Sequence, residues 1–189
     1  MLNNLTALLD SGAVAAVGDY ESISTVTVGA GGSSSIAFTS IPSTYKHLQV
    51  RFISRCSRVD VSDSLGLRFN SDSGSNYTRH GIYGNNSVAG VLGNTGETLI
   101  RAATQTATNA PANSFGAGVW DILDYASTSK YKTIRVLSGL DDTQAAESEI
   151  RYGSGLWLNT AAVTSITFLA QAGSANFSQY SSFALYGVK

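Results

Sequence analysis

Cysteine, proline and charge are all scarce. One cysteine, Cys56, stands in 189 residues, so no disulfide can close within the chain and no paired-cysteine zinc motif exists. Cys56 continues the alternation Leu48, Val50, Phe52, Ser54 and is expected as a small buried side chain. With two prolines against 19 glycines, turns must be made by Gly, Asn, Asp and Ser. Charged residues make up 13% of the chain, where soluble domains carry about 25%. The 12 basic and 13 acidic residues give a net charge of −1. They form no basic run, which argues against nucleic acid as a partner. No apolar run approaches the ~18 residues of a transmembrane helix, so membrane insertion is not expected. The first residues do not read as a signal peptide, because a basic start is missing and Asp10 interrupts the apolar stretch.

What is present is alternation. The stretch from Ser114 to Leu140 reads as two strands joined by a polar turn at Ala126–Lys130. In the second strand Lys132, Ile134 and Val136 share one face, and Tyr131, Thr133, Arg135 and Leu137 share the other. The first, Phe115–Leu123, is more apolar and carries two glycines. That suits a central strand approached closely by a backbone or a large ring. Similar strands are expected at Tyr20–Val28, Ile36–Phe38, Lys46–Cys56, Leu65–Phe69, Tyr77–Tyr83, Ser148–Leu158, Ser165–Leu169 and Phe177–Val188. Leu99–Ala103 reads as a short one. Gly84–Thr98 and Thr104–Asn113 read as exposed polar loops. Eight to ten strands with turn signals between them predict an all-β fold, an antiparallel two-sheet sandwich of jelly-roll type.

Residues 1–18 differ from this body, which spans 19–189. Leu2, Leu5, Leu8 and Leu9 recur at helical spacing and Gly12 follows. So short a helix is marginal alone, which predicts a helical or extended anchor that docks on a partner, followed by a flexible linker at Ser11–Gly18.

Catalytic patterns are missing. His47 and His80 lie in no metal-ligand spacing, and no nucleophile elbow occurs among the many serines. Asp72–Asn76 resembles part of a calcium loop without its later carboxylates. Asp141, Asp142, Glu147 and Glu149 read as a solvated acidic loop. Asp121 and Asp124 lack a cleft between them. No enzyme activity, metal or cofactor is therefore expected. Aromatic residues carry the binding potential, and Tyr77, His80 and Tyr83, nearest the polar loops, are the candidate ligand contacts.

Five ordered segments, Tyr20–Arg51, Arg68–Gly84, Phe115–Arg135, Ser154–Leu158 and Phe183–Lys189, together resemble a family of small virion proteins of tailed bacteriophages. The resemblance implies a β-sandwich displayed on the virion, which assembles in the host cytoplasm. It brings no catalytic residues. The expectation that follows is a structural protein of a tail fibre or appendage, self-associating as a homotrimer. Its N-terminal segment would join it to other virion proteins, and its loops would meet a host glycan or receptor. A capsid decoration protein and a free carbohydrate-binding module are the alternatives.

Overall fold

The computed structural model describes residues 19–142, 148–170 and 175–189. Among these residues the chain is all β, with twelve strands: β1 (Tyr20–Thr27), β2 (Ile36–Phe38), β3 (His47–Ser54), β4 (Ser62–Phe69), β5 (Tyr77–Asn85), β6 (Ala89–Glu97), β7 (Ile100–Thr106), β8 (Gly116–Ile122), β9 (Lys132–Leu140), β10 (Glu149–Trp157), β11 (Ile166–Ala170) and β12 (Ser182–Val188). They form an eight-stranded sheet in the order β1-β12-β3-β8-β9-β10-β5-β6 and a four-stranded sheet in the order β2-β11-β4-β7. All strand pairs are antiparallel. The anchor residues Leu2, Leu5, Leu8 and Leu9 and the linker lie outside the described residues.

Period-two patterning sets which side chains meet between the sheets. Leu48, Val50 and Phe52 of β3, Trp120 and Ile122 of β8, and Ile134 and Val136 of β9 all point inward and are buried. Leu65, Leu67 and Phe69 of β4 and Ile166 and Phe168 of β11 face them. Aromatic contacts tie the layers together. Phe168 of the small sheet lies 5.0 Å from Phe183 and 5.8 Å from Trp120 of the large one, centroid to centroid. A second cluster sits toward the β5 end, where Trp157 packs on Phe69 at 5.5 Å and stacks with Tyr77 at 6.4 Å. Burial of such side chains contributes about 1.5–3 kcal/mol each. Lys132 is also inward and fully buried. Its Nζ donates to the carbonyls of Lys130 at 2.7 Å and Thr160 at 3.0 Å, and desolvation lowers its pKa.

β8 is central, and Gly118 shows why a glycine is needed there. A Cβ at that position would come within 2.6 Å of the Leu137 carbonyl oxygen and 2.7 Å of the Phe52 ring. Cys56 is fully buried, and burial pushes its thiol up to about 12.

Of the two expected loops, the first is mostly strand and the second is strand only at its start. Most of Gly84–Thr98 is the hairpin β5–β6, turned by Asn85, whose Oδ1 accepts from the Ser87 and Val88 amides. Its Gly- and Asn-rich outer strand carries little apolar signal because it is an edge, ordered by the β5 ladder rather than by its own burial. The stretch 104–106 belongs to β7, and Thr104, Gln105 and Thr106 are each 0% exposed despite their polarity. The loop after it is held by Arg55, whose guanidinium donates to the carbonyls of Thr108, Ala110, Pro111 and Ser114 at 2.8–3.0 Å.

Candidate binding face

The register of the large sheet places side chains from different strands in straight transverse rows. On its outer face, Leu137 of β9, Tyr152 of β10, Ile82 of β5 and Val91 of β6 are direct cross-strand partners. All four are large, apolar and exposed, from 46% for Leu137 to 79% for Val91. Two residues along each strand, the next row reads Arg135, Ser154, His80 and Gly93. Beyond it lie Thr133, Leu156 and Thr78. Strands stand about 4.8 Å apart, so the apolar row spans about 14 Å.

Glycine shapes the relief of this face. His80 lies across Gly93, where a Cβ would approach its Cδ2 to 2.9 Å. A shallow depression of ≈ 370 Å³ lies between His80, Ile82, Val91, Tyr152 and Ser154. A second, of ≈ 570 Å³, shares His80 and Ser154 and runs on past Thr78, Arg79, Asn94, Thr95 and Thr133. Alternation along β10 turns Tyr152 outward and Gly153 and Gly155 inward. A Cβ on Gly155 would meet Ile100 at 2.5 Å, and one on Gly153 would meet Ala102 at 3.1 Å. Two small residues thus let β7 pack tightly beneath the face.

The charges around the face are already paired. Arg79 turns inward, with Nε 3.2 Å from Glu97 Oε2 and Nη1 donating to the Arg101 carbonyl at 2.9 Å. Arg135 turns away, its Nε 3.0 Å from Asp121 Oδ2. Among the described residues, the side chains of His80, Tyr152 and Ser154 have no hydrogen-bond partner. The face therefore offers a phenol ring, an imidazole and hydroxyls, with no free charge among the described residues.

The three residues singled out from sequence do not come together. Tyr77 and Tyr83 share the inward side of β5, and His80 lies on the outward side. Tyr77 is 0% exposed, so it is not available to a ligand. Its hydroxyl accepts from the Phe69 amide at 3.1 Å and donates to the Asp72 carbonyl at 3.0 Å, and burial raises its pKa to about 12. Tyr83 is half-buried across Gly90, where a Cβ would come within 2.5 Å of its ring. Only His80 reaches the outer face. Tyr152, Ile82, Val91 and Ser154 were missed. The signal that marks them is the alternation Ile150, Tyr152, Ser154 against Arg151, Gly153, Gly155, which reads as an apolar outer face only once the inner glycines are known to carry the packing.

The other candidate sites resolve into structural roles. Asp72 accepts from Trp157 Nε1 at 2.7 Å, Asn76 Nδ2 at 2.9 Å and the Gly74 amide at 2.9 Å. Burial pushes its carboxyl up, but these bonds outweigh that effect and hold it below the usual range. Both oxygens thus serve the turn that leads into β5. Asp124 turns to Lys130, 2.6 Å away, and Asp121 belongs to the Arg135 pair. Glu149 pairs with Arg151 at 2.7 Å, and Asp141 and Asp142 accept from the Ser148 hydroxyl at 3.2 and 3.0 Å. Glu147 lies outside the described residues. No cluster of three or more His, Cys, Asp or Glu side chains able to hold a metal occurs among the described residues, and no helix there is long and apolar enough to cross a membrane.

No protein-family model matches the chain, and no curated protein matches it in sequence.

Proposed function

We propose that this chain is a structural virion protein of a tailed bacteriophage: a surface-displayed module of a tail appendage that works by surface contact. The observation that carries the reading is the outer face of the large sheet, where an exposed apolar row borders polar groups that have no hydrogen-bond partner among the described residues. Contiguous exposed apolar surface marks a contact site. The sequence resemblance over Tyr20–Lys189 supplies the setting.

The finer fold assignment is a jelly roll. The order β1-β12-β3-β8 facing β2-β11-β4-β7 supports it, being the strand order expected of two nested Greek keys. The hairpins β5–β6 and β9–β10 are then insertions that widen one sheet, and the candidate face is built from them. Jelly rolls occur in viral coat and lectin domains alike, so the fold is compatible with the function without specifying it.

Residues 1–18 are the attachment segment of this proposal, and the displayed body is a homotrimer. Electron microscopy of intact virions labelled with antibody to this protein tests the location. Label on the tail supports the appendage reading. Label spread over the head means decoration of the capsid instead, and no label on particles overturns the virion reading. Deleting residues 1–18 should leave a folded body that no longer joins the particle.

A free carbohydrate-binding module is the second reading, favoured by one observation: the exposed ring of Tyr152 is bordered by an imidazole and hydroxyl groups.

A further inference from the structure

We propose that the outer face built by Tyr152, Ile82, Val91, His80 and Ser154 is a binding site for an uncharged oligosaccharide. This deepens the surface-contact reading above and rests on it. It names the chemistry that the face would recognise.

A sugar ring presents two kinds of surface. One is a face of C–H groups that is apolar enough to lie on an aromatic ring. The other is a rim of hydroxyls, each able to donate and accept. The site has both halves in matching order. Tyr152 is 51% exposed, with Ile82 at 59% and Val91 at 79% as its neighbours across two strands. One row away, about 7 Å along the strands, the Ser154 and His80 side chains have no hydrogen-bond partner among the described residues. Thr133 and Thr78 continue that polar strip, bordering the second depression. Tyrosine loses little side-chain freedom on binding and keeps a polar tip, which is why it serves wet interfaces.

Charge decides the class. An anionic glycan would need a free cation, and Arg79 and Arg135 are each within 3.2 Å of a carboxylate partner. A cationic ligand would need a free carboxylate, and Glu97 is 5% exposed and already shared by Arg79 and Arg101. Neither kind of ligand would find an opposite charge here that is not already paired. A neutral polyol needs none. The depressions are shallow and open along the sheet, which suits a short stretch of polymer rather than an enclosed monosaccharide.

The test uses the full chain, isotopically labelled, with its amide resonances followed during titration. The probes are maltopentaose, cellopentaose, mannopentaose and chitopentaose, with a sulfated heparin pentasaccharide as the anionic comparison. The expected result is saturable shifts with at least one neutral probe, centred on Gly81, Ile82, Gly93, Gly153 and Ser154. Tyr152→Ala should weaken that binding about tenfold or more, and His80→Ala by a smaller factor. Tyr180→Ala, on an exposed ring elsewhere, should leave it unchanged. Both test residues are exposed, and the amide spectrum itself reports whether each variant is folded. The proposal is overturned if none of the four neutral probes shifts the face, if Tyr152→Ala binds as well as the parent, or if only the sulfated probe binds. It is also overturned if these amides shift with protein concentration alone, since the face then belongs to a second copy of the chain. Absence of sugar binding leaves the particle-labelling result intact. Sugar binding by a protein never found on particles would remove only the virion setting.

Discussion

The two halves of the large sheet's outer face stand on the same core and have opposite chemistry, and the division runs along β9. On the β1-β12-β3-β8 side, polar side chains satisfy one another. Gln49 donates to Asp121 at 2.9 Å, Arg51 donates to Gln49 at 2.9 Å, and Arg135 closes the chain on Asp121. The Arg51 guanidinium also lies over the rings of Tyr20 and Tyr186, 5.6 and 5.0 Å from their centroids. On the β10-β5-β6 side the same transverse rows continue, but they carry Ser154, His80 and Gly93 beside Tyr152, Ile82 and Val91. One half pairs its polar groups with one another. The other leaves the side chains of His80, Tyr152 and Ser154 without a hydrogen-bond partner among the described residues. The lesson is that recognition capacity follows from groups left unpaired, not from how many polar groups a surface carries.

The strongest test of this comparison is whether both halves share one core. Trp157→Ala, beneath the open half, should destabilise by about 3–5 kcal/mol, and Phe183→Ala, beneath the paired half, by a similar amount. Urea unfolding measures both. A loss below about 1 kcal/mol for either would mean that half is packed independently of the core described here.

Removing outer side chains should then separate the halves by kind. Asp121→Ala cuts Gln49 and Arg135 loose together and should cost about 1 kcal/mol, with the cost shrinking as salt is raised. Ile82→Ser and Tyr152→Ala should each stay within about 0.5 kcal/mol and show no salt dependence. Denaturation at low and high ionic strength distinguishes them. A salt-dependent loss at Tyr152 would refute the uncharged character of that half.

The smallest expected effect lies in the acid limb of stability, where two aspartates act with opposite sign. Asp72 has its folded-state pKa lowered, so the stability it contributes is present above its unfolded value, near ~3.9, and is lost as pH falls through the folded value. Asp63 is the reverse. Burial is the largest influence on it and raises its pKa, despite the Arg58 and Cys56 hydrogen bonds. Stability therefore declines there as pH rises from the unfolded value through the folded one. Asp72→Asn should flatten the acid loss, and Asp63→Asn should remove the opposing decline. Unfolding midpoints between about pH 2 and 6 read both slopes. An unchanged acid limb in Asp72→Asn would show that the Trp157 and Asn76 bonds do not act on the ionised carboxylate.

Much of the fold was legible in residues whose burial and alternation agree. Leu48, Val50, Phe52 and Ile134, Val136 announce inward faces because apolar side chains at period two can satisfy only a one-sided core. The glycines of β8 pointed to close approach, and Phe52 and the Leu137 carbonyl supply it at Gly118. The edge strand β6 was not legible, since glycine and asparagine carry no strand signal of their own. Nor was the polar end of β7, where Gln105 is buried between strands that its own composition does not foretell. Of the candidate site only His80 was found, because loop proximity in sequence drew attention to Tyr77 and Tyr83, whose odd positions on β5 turn them inward.

The fold class can be read from composition and local pattern. Few prolines and recurrent period-two alternation point to an all-β chain of antiparallel strands, a sandwich or a barrel. Tertiary structure decided which strands lie side by side, and therefore which exposed side chains form one surface. Tyr152, Ile82, Val91 and Leu137 are spread over 71 positions of chain. They become neighbours only because hydrogen-bonded ladders from β9 to β6 fix their register. Alternation is local and can be read from a few residues, whereas register between distant strands depends on the packing of the whole core.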